Sequence, residues 1–124
     1  MHLRRLLATA ADSDRKVVEY LRKELRCIQC IVLYGSRARG MVHPTSDIDI
    51  LVIHTSNNGQ RHGDERRHVL RNHLTKLIGI EMSITSVLIP KPSEIATAFW
   101  RNIGRDGVCL WGDLPAHLRI DHGK

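Results

Sequence analysis

Leu33-Tyr34-Gly35-Ser36-Arg37-Ala38-Arg39-Gly40, followed by Ser46-Asp47-Ile48-Asp49-Ile50-Leu51-Val52, is the stretch on which the reading turns. Ahead of it, Ile28 to Tyr34 is apolar and β-branched, the pattern of a strand buried on both faces. That run stops at Gly35, and glycines at 35 and 40 bracket a short helix-compatible segment. His43-Pro44-Thr45-Ser46 reads as a loop, and Asp47 to Ile53 as a second strand. Gly35 and Gly40 have the spacing of a phosphate-binding P-loop, but Met41 and Val42 stand where that loop requires Lys and Ser/Thr. A P-loop nucleoside triphosphatase is thereby rejected. A strand ending in glycine ahead of a helical turn still offers free backbone N–H groups to an anion.

Asp47 and Asp49 carry the stronger signal. Residues two apart on a strand point to one face, about 6.6 Å apart along the backbone. Two carboxylates converging on an otherwise apolar strand repel each other and are costly unless a cation neutralises them. A solvated strand face is the ordinary explanation of an isolated Asp-x-Asp.

Outward from this centre, the periodicity of Val17, Leu21 and Leu25 predicts a helix over Ser13 to Arg26, with Leu3, Leu6 and Leu7 either extending it or forming a separate turn. Thr55 to Gly63, rich in Asn and Gly, reads as a loop, and Asp64 to Ile78 as a helix closed by Gly79. Ile80 to Ile89 is a third strand stopped by Pro90 and Pro92. Ser93 begins a helix carrying Ile95, Ala98, Phe99 and Ile103, and Val108 to Trp111 is a short fourth strand. The expected fold is α/β (α+β), a small sheet of about four strands flanked by helices. The short link between the first two strands permits antiparallel or mixed pairing as readily as a crossover. One domain over residues 1–124 is expected, with an N-terminal helical region (1–26) and a loosely held tail (113–124).

Composition narrows the partners. The 124 residues carry 19 Lys and Arg against 13 Asp and Glu, a net charge of +6, which favours anionic ligands. Aromatic residues make up 4%, too few for an extended base-stacking platform, and no reading helix is evident, so a nucleic-acid-binding protein is a minor alternative. No apolar run reaches membrane-spanning length, and the start makes a poor signal peptide, so a cytoplasmic location is expected. Cys27-Ile28-Gln29-Cys30 is half of a metal or redox motif without a second half, and ordinary strand thiols are the simpler reading. His68 and His73, five apart on a helix, do not make a zinc pair, whereas His43 and His54 stand near the acidic motif in sequence.

The Gly-Ser turn followed by Asp-Ile-Asp resembles the signature of the DNA polymerase β-like nucleotidyltransferase superfamily. The fuller stretch is similar to its minimal nucleotidyltransferase (MNT) branch, as is the ending Arg105-Asp106-Gly107-Val108-Cys109-Leu110-Trp111. The resemblance spans about Cys27 to Gly112. It implies a polymerase β-like fold and an enzyme that moves a nucleoside monophosphate, AMP foremost, from a nucleoside triphosphate such as ATP to an acceptor hydroxyl. By the same resemblance, Gly35, Ser36 and Arg39 hold phosphate, while Asp47 and Asp49 hold two Mg²⁺ ions. Glu81 stands as the third carboxylate, where the branch more often has aspartate. A helical HEPN-type protein in trans is the implied partner, with the chain acting as its antitoxin; a partner or a second copy completes the acceptor side. A module that binds nucleotide without turnover is the alternative.

Overall fold

The computed structural model describes residues 2–35, 38 and 47–118. It contains the helices α1 (His2–Glu24), α2 (Asn57–Ile78) and α3 (Ala98–Asp106). The strands are β1 (Ile28–Tyr34), β2 (Ile48–His54), β3 (Met82–Leu88) and β4 (Val108–Gly112). The strands form one sheet in the order β3-β2-β1-β4. β1 runs antiparallel to both β2 and β4, and β2 runs parallel to β3. This is the mixed α+β sheet expected, and the link between the first two strands makes an antiparallel pair.

Strand alternation sorts the core into two layers. Ile31, Ile48, Ile50, Val52, Met82 and Ile84 face α1 and α2, where Val17, Leu21, Leu25, Leu70 and Leu74 bury against them. Cys30, Val32, Leu51 and Ile53 face the other way, onto Trp100 and Ile103 of α3 and Leu118. Val17, Leu21 and Leu25 recur every four residues, so one stripe along α1 and its end meets the sheet. α1 is continuous from His2, which settles the choice left open for its first residues in favour of extension.

α2 corrects the sequence reading. From Asn57 onward the Asn- and Gly-rich stretch is not a loop but the first turns of this helix, capped by Ser56, whose hydroxyl oxygen accepts from Gly59 N at 3.1 Å. Its glycines serve close packing: a Cβ on Gly59 would stand 2.8 Å from Arg26 O, and one on Gly63 would stand 2.3 Å from Ser86 Oγ. The helix thus lies against β2 and β3 more closely than any other residue type would permit.

The C-terminal half differs in detail. Ser93 sits inside a single 3-10 turn, Pro92–Glu94, and α3 starts later, with Thr97 at its N-cap. The tail is partly anchored, because a second 3-10 turn, Ala116–Leu118, buries Leu118. Cys27, Cys30 and Cys109 are free thiols, and Cys27 is exposed just ahead of β1 rather than in a strand. Burial, with Cys109 alongside, pushes the Cys30 thiol up to about 12, so it is inert as a nucleophile. Among the described residues, no helix is long and apolar enough to cross a membrane.

Candidate active site

Among the described candidates, Gly35, Asp47, Asp49 and Glu81 lie at one end of the sheet, where β1 finishes and the parallel pair β2 and β3 begins. Antiparallel register sets Tyr34 of β1 opposite Asp49 of β2. The next residue, Gly35, takes a left-handed φ of 78°, which turns the chain over the end of β2. A Cβ there would fall 2.3 Å from Asp49 Oδ2, so only glycine leaves room for this carboxylate.

Asp49 projects from the same face as Leu51 and Ile53 and is half-buried, while Asp47 is exposed. Burial raises the Asp49 carboxyl above its ordinary range, and the negative charge of Asp47 raises it further. Both effects oppose ionisation, and a bound cation reverses both. Both side chains offer hard carboxylate oxygens, and Asp47 lines a groove open to water, a donor type that suits Mg²⁺. The two aspartates therefore fit the divalent metal that the family signature implies.

Glu81 stands one residue ahead of β3, and its carbonyl accepts from Ile48 N at 2.9 Å, which places it beside Asp47. Its exposed side chain pairs with Arg71 of α2 at 3.7 Å. Such an exposed pair contributes little to stability and is easily exchanged. Among the described residues, no three acidic, histidine or cysteine side chains converge as a metal cluster. The residue in parallel register with Asp49 is Ser83. Asp47, Glu81, Ser83 and Thr85 line an open groove of about 340 Å³ with Arg67, His68 and Arg71 of α2.

Ser36 and Arg39, the remaining phosphate candidates, lie outside the described residues, as do Arg37 and His43. His54 is not near the acids. It lies at the far end of β2, pairs in register with Ile28 and is completely buried. His73 stacks on Tyr20, its ring centroid 4.5 Å away.

A second cavity, of about 170 Å³, opens beside Gly35 between Tyr34 and the Phe99, Asn102, Ile103 and Asp106 side of α3. Its α3 residues are not marked as a site by the sequence, where Phe99 reads as an apolar residue of the helix. The 3, 4, 7 spacing from Phe99 was the available signal, because it puts all four α3 residues on one helix face. Arg71 was equally silent, as one arginine among many on α2.

The sequence model described as polymerase beta nucleotidyltransferase matches residues 15–113. The chain belongs to this family. Solved structures agree with the fold of this nucleotidyltransferase. A toxin–antitoxin crystal structure with AMP-PNP is 23% identical with a TM-score of 0.60, over 84% of this chain and 77% of that one. A mutant of the toxin–antitoxin MntA-HpeT is 26% identical with a TM-score of 0.59, over 83% and 75%. The tri-AMPylated Shewanella oneidensis HEPN toxin in complex with MNT antitoxin gives 23% and 0.54, over 82% and 71%. No curated protein matches the sequence of this nucleotidyltransferase.

Proposed function

We propose that this nucleotidyltransferase transfers AMP from ATP to a hydroxyl on a helical HEPN-type protein, acting as the antitoxin of the pair. The observation that carries the reading is the meeting of Asp49 and Gly35. A half-buried carboxylate, pushed towards protonation by its surroundings, stands directly over the turn where a polyphosphate would rest. The relatives crystallised with AMP-PNP and with an AMPylated HEPN toxin support the choice of nucleotide and partner.

In this reading Gly35 lets the triphosphate approach the backbone, Ser36 donates its hydroxyl to a phosphate oxygen, and Arg39 pairs with the phosphate charge. Asp47 and Asp49 would hold two Mg²⁺ ions, which would supply charge neutralisation for the polyphosphate and acidify the acceptor hydroxyl. Glu81, released from Arg71, completes the acidic set and takes the acceptor proton. The acceptor oxygen bonds to the α-phosphorus, the bond from that phosphorus to the bridging oxygen breaks, and pyrophosphate leaves.

The test is incubation with ATP labelled on the α-phosphate, Mg²⁺ and a HEPN-type partner. Label passes to the partner with the native chain and not with Asp47→Asn or Asp49→Asn. Transfer surviving in both variants refutes the reading.

A second reading has one observation in its favour. Glu81 is engaged by Arg71, and no three-ligand cluster forms among the described residues, as expected of a module that binds nucleotide without turnover. In that case nucleotide raises the melting temperature, no label moves, and the double aspartate variant still neutralises the partner.

A further inference from the structure

The chain has five Phe, Tyr and Trp residues, and two of them, Tyr34 and Phe99, lie beside Gly35, with Trp100 in contact behind Phe99. Tyr34 and Phe99 contact edge-to-face with centroids 6.1 Å apart, and Phe99 contacts Trp100 in the same manner at 5.2 Å. Trp100 has a packing role, since it is buried against the sheet with Ile103. Phe99 has none of comparable weight: 40% of it is exposed. It forms a wall of the cavity beside Gly35, whose floor is Ile103 and whose rim is Asn102 and Asp106. At about 170 Å³ the cavity is well below the roughly 300–1,000 Å³ that encloses a whole small molecule, and it suits one planar fragment.

Its position identifies the fragment. The cavity shares Gly35 with the acid pair, so a group bound there is covalently within reach of a phosphate held over Asp49. We infer that Phe99 is the stacking face for the purine base of the nucleotide, with Tyr34, its ring at 77° to that of Phe99, as a side wall and Asn102 contacting the edge of the base. This rests on the transferase reading above and adds a base subsite to it. Asn102 Oδ1 already accepts from Arg105 Nη2 at 2.9 Å, so the amide offers its NH₂ group, a donor matched to a purine ring nitrogen. Stacking on an aromatic ring tolerates any base but rewards the larger purine ring with more contact.

The experiment compares binding of ATP and of inorganic tripolyphosphate, both with Mg²⁺, by calorimetry on the native chain, Phe99→Ala, Phe99→Tyr and Asn102→Ala. The native chain binds ATP more tightly than tripolyphosphate. Phe99→Ala weakens ATP roughly 5- to 150-fold, the range for losing one base–aromatic stack, and leaves tripolyphosphate unchanged. Phe99→Tyr restores ATP affinity, which a merely damaged fold would not do, and Asn102→Ala gives a smaller loss confined to ATP. The base subsite is overturned if Phe99→Ala binds ATP like the native chain, including the case in which only label transfer drops and the cavity serves the acceptor. It is overturned alone if the native chain binds both ligands equally. It falls together with the transferase reading if neither ligand binds.

Discussion

Tyr34 on β1 and Asp49 on β2 are antiparallel partners, and their side chains leave the sheet on the same face. Everything proposed for the site follows from that pairing. It brings the residue after Tyr34, Gly35, over the Asp49 carboxylate and leaves the Tyr34 ring as a wall of the adjoining cavity.

Gly35→Ala tests the pairing. The new methyl group would overlap Asp49 Oδ2, and the left-handed backbone there costs a non-glycine residue roughly 1–2 kcal/mol. Urea unfolding should show a loss of at least that size, with Mg²⁺–ATP binding reduced further because Asp49 must move. An alanine variant with native stability and affinity would mean that the turn and the acid do not meet as described.

The two-layer core predicts where stability resides. Leu21 of α1 is wholly buried against the sheet. Leu21→Ala should cost about 2–5 kcal/mol by urea denaturation, as expected for a buried leucine removed from a packed layer. Val69 on α2 is 60% exposed, and Val69→Ala should change stability by less than about 0.5 kcal/mol. Equal losses at the two positions would contradict the packing.

How far the sequence discloses this molecule depends on the range of the forces involved. β1 spans the residues its apolar run suggests, because a strand buried on both faces has only one pattern available. The second strand is legible for the same reason, although β2 begins at Ile48 and leaves Asp47 one residue ahead of it rather than inside it. The start of α2 is not legible. Local propensity counts Gly59 and Gly63 against a helix, and only the close approach of Arg26 and Ser86 explains why glycine is required there. Phe99 and Arg71 are hidden likewise, because their neighbours, Tyr34 and Glu81, are distant in sequence.

A buried histidine sets the pH dependence. His54 Nδ1 lies 3.0 Å from Arg26 O, and Nε2 has no hydrogen-bond partner among the described residues. Burial lowers its affinity for a proton, the carbonyl of Arg26 partly offsets this, and nearby His62 lowers it again. The folded chain therefore binds fewer protons than the unfolded chain below the ordinary histidine value of 6.5. Stability is full above that pH and falls as pH drops towards the lower folded value, with a slope of at most about 1.4 kcal/mol per pH unit for one proton. Urea titrations from pH 8 to 5 should show this decline, flattened in His54→Gln. An unchanged slope in the variant would assign the effect elsewhere.

Glu81 and Arg71 can be separated by function and stability. Their exposed ion pair predicts that Glu81→Gln and Arg71→Ala each alter unfolding free energy by less than about 1 kcal/mol. If Glu81 serves the reaction, Glu81→Gln lowers label transfer at saturating ATP by about 10²-fold or more, the usual weight of a general base, while Arg71→Ala leaves transfer intact. A Glu81→Gln variant that transfers at the native rate would remove Glu81 from the mechanism.

The central claim is that Asp47 and Asp49 hold divalent metal beneath a polyphosphate resting on the Gly35 turn. Calorimetric titration of AMP-PNP with and without Mg²⁺, on the native chain and on the Asp47→Asn/Asp49→Asn double variant, tests it most directly. Mg²⁺-dependent binding to the native chain is expected, with at least about a 100-fold loss in the variant. Equal affinity in both proteins, or binding indifferent to Mg²⁺, would contradict it.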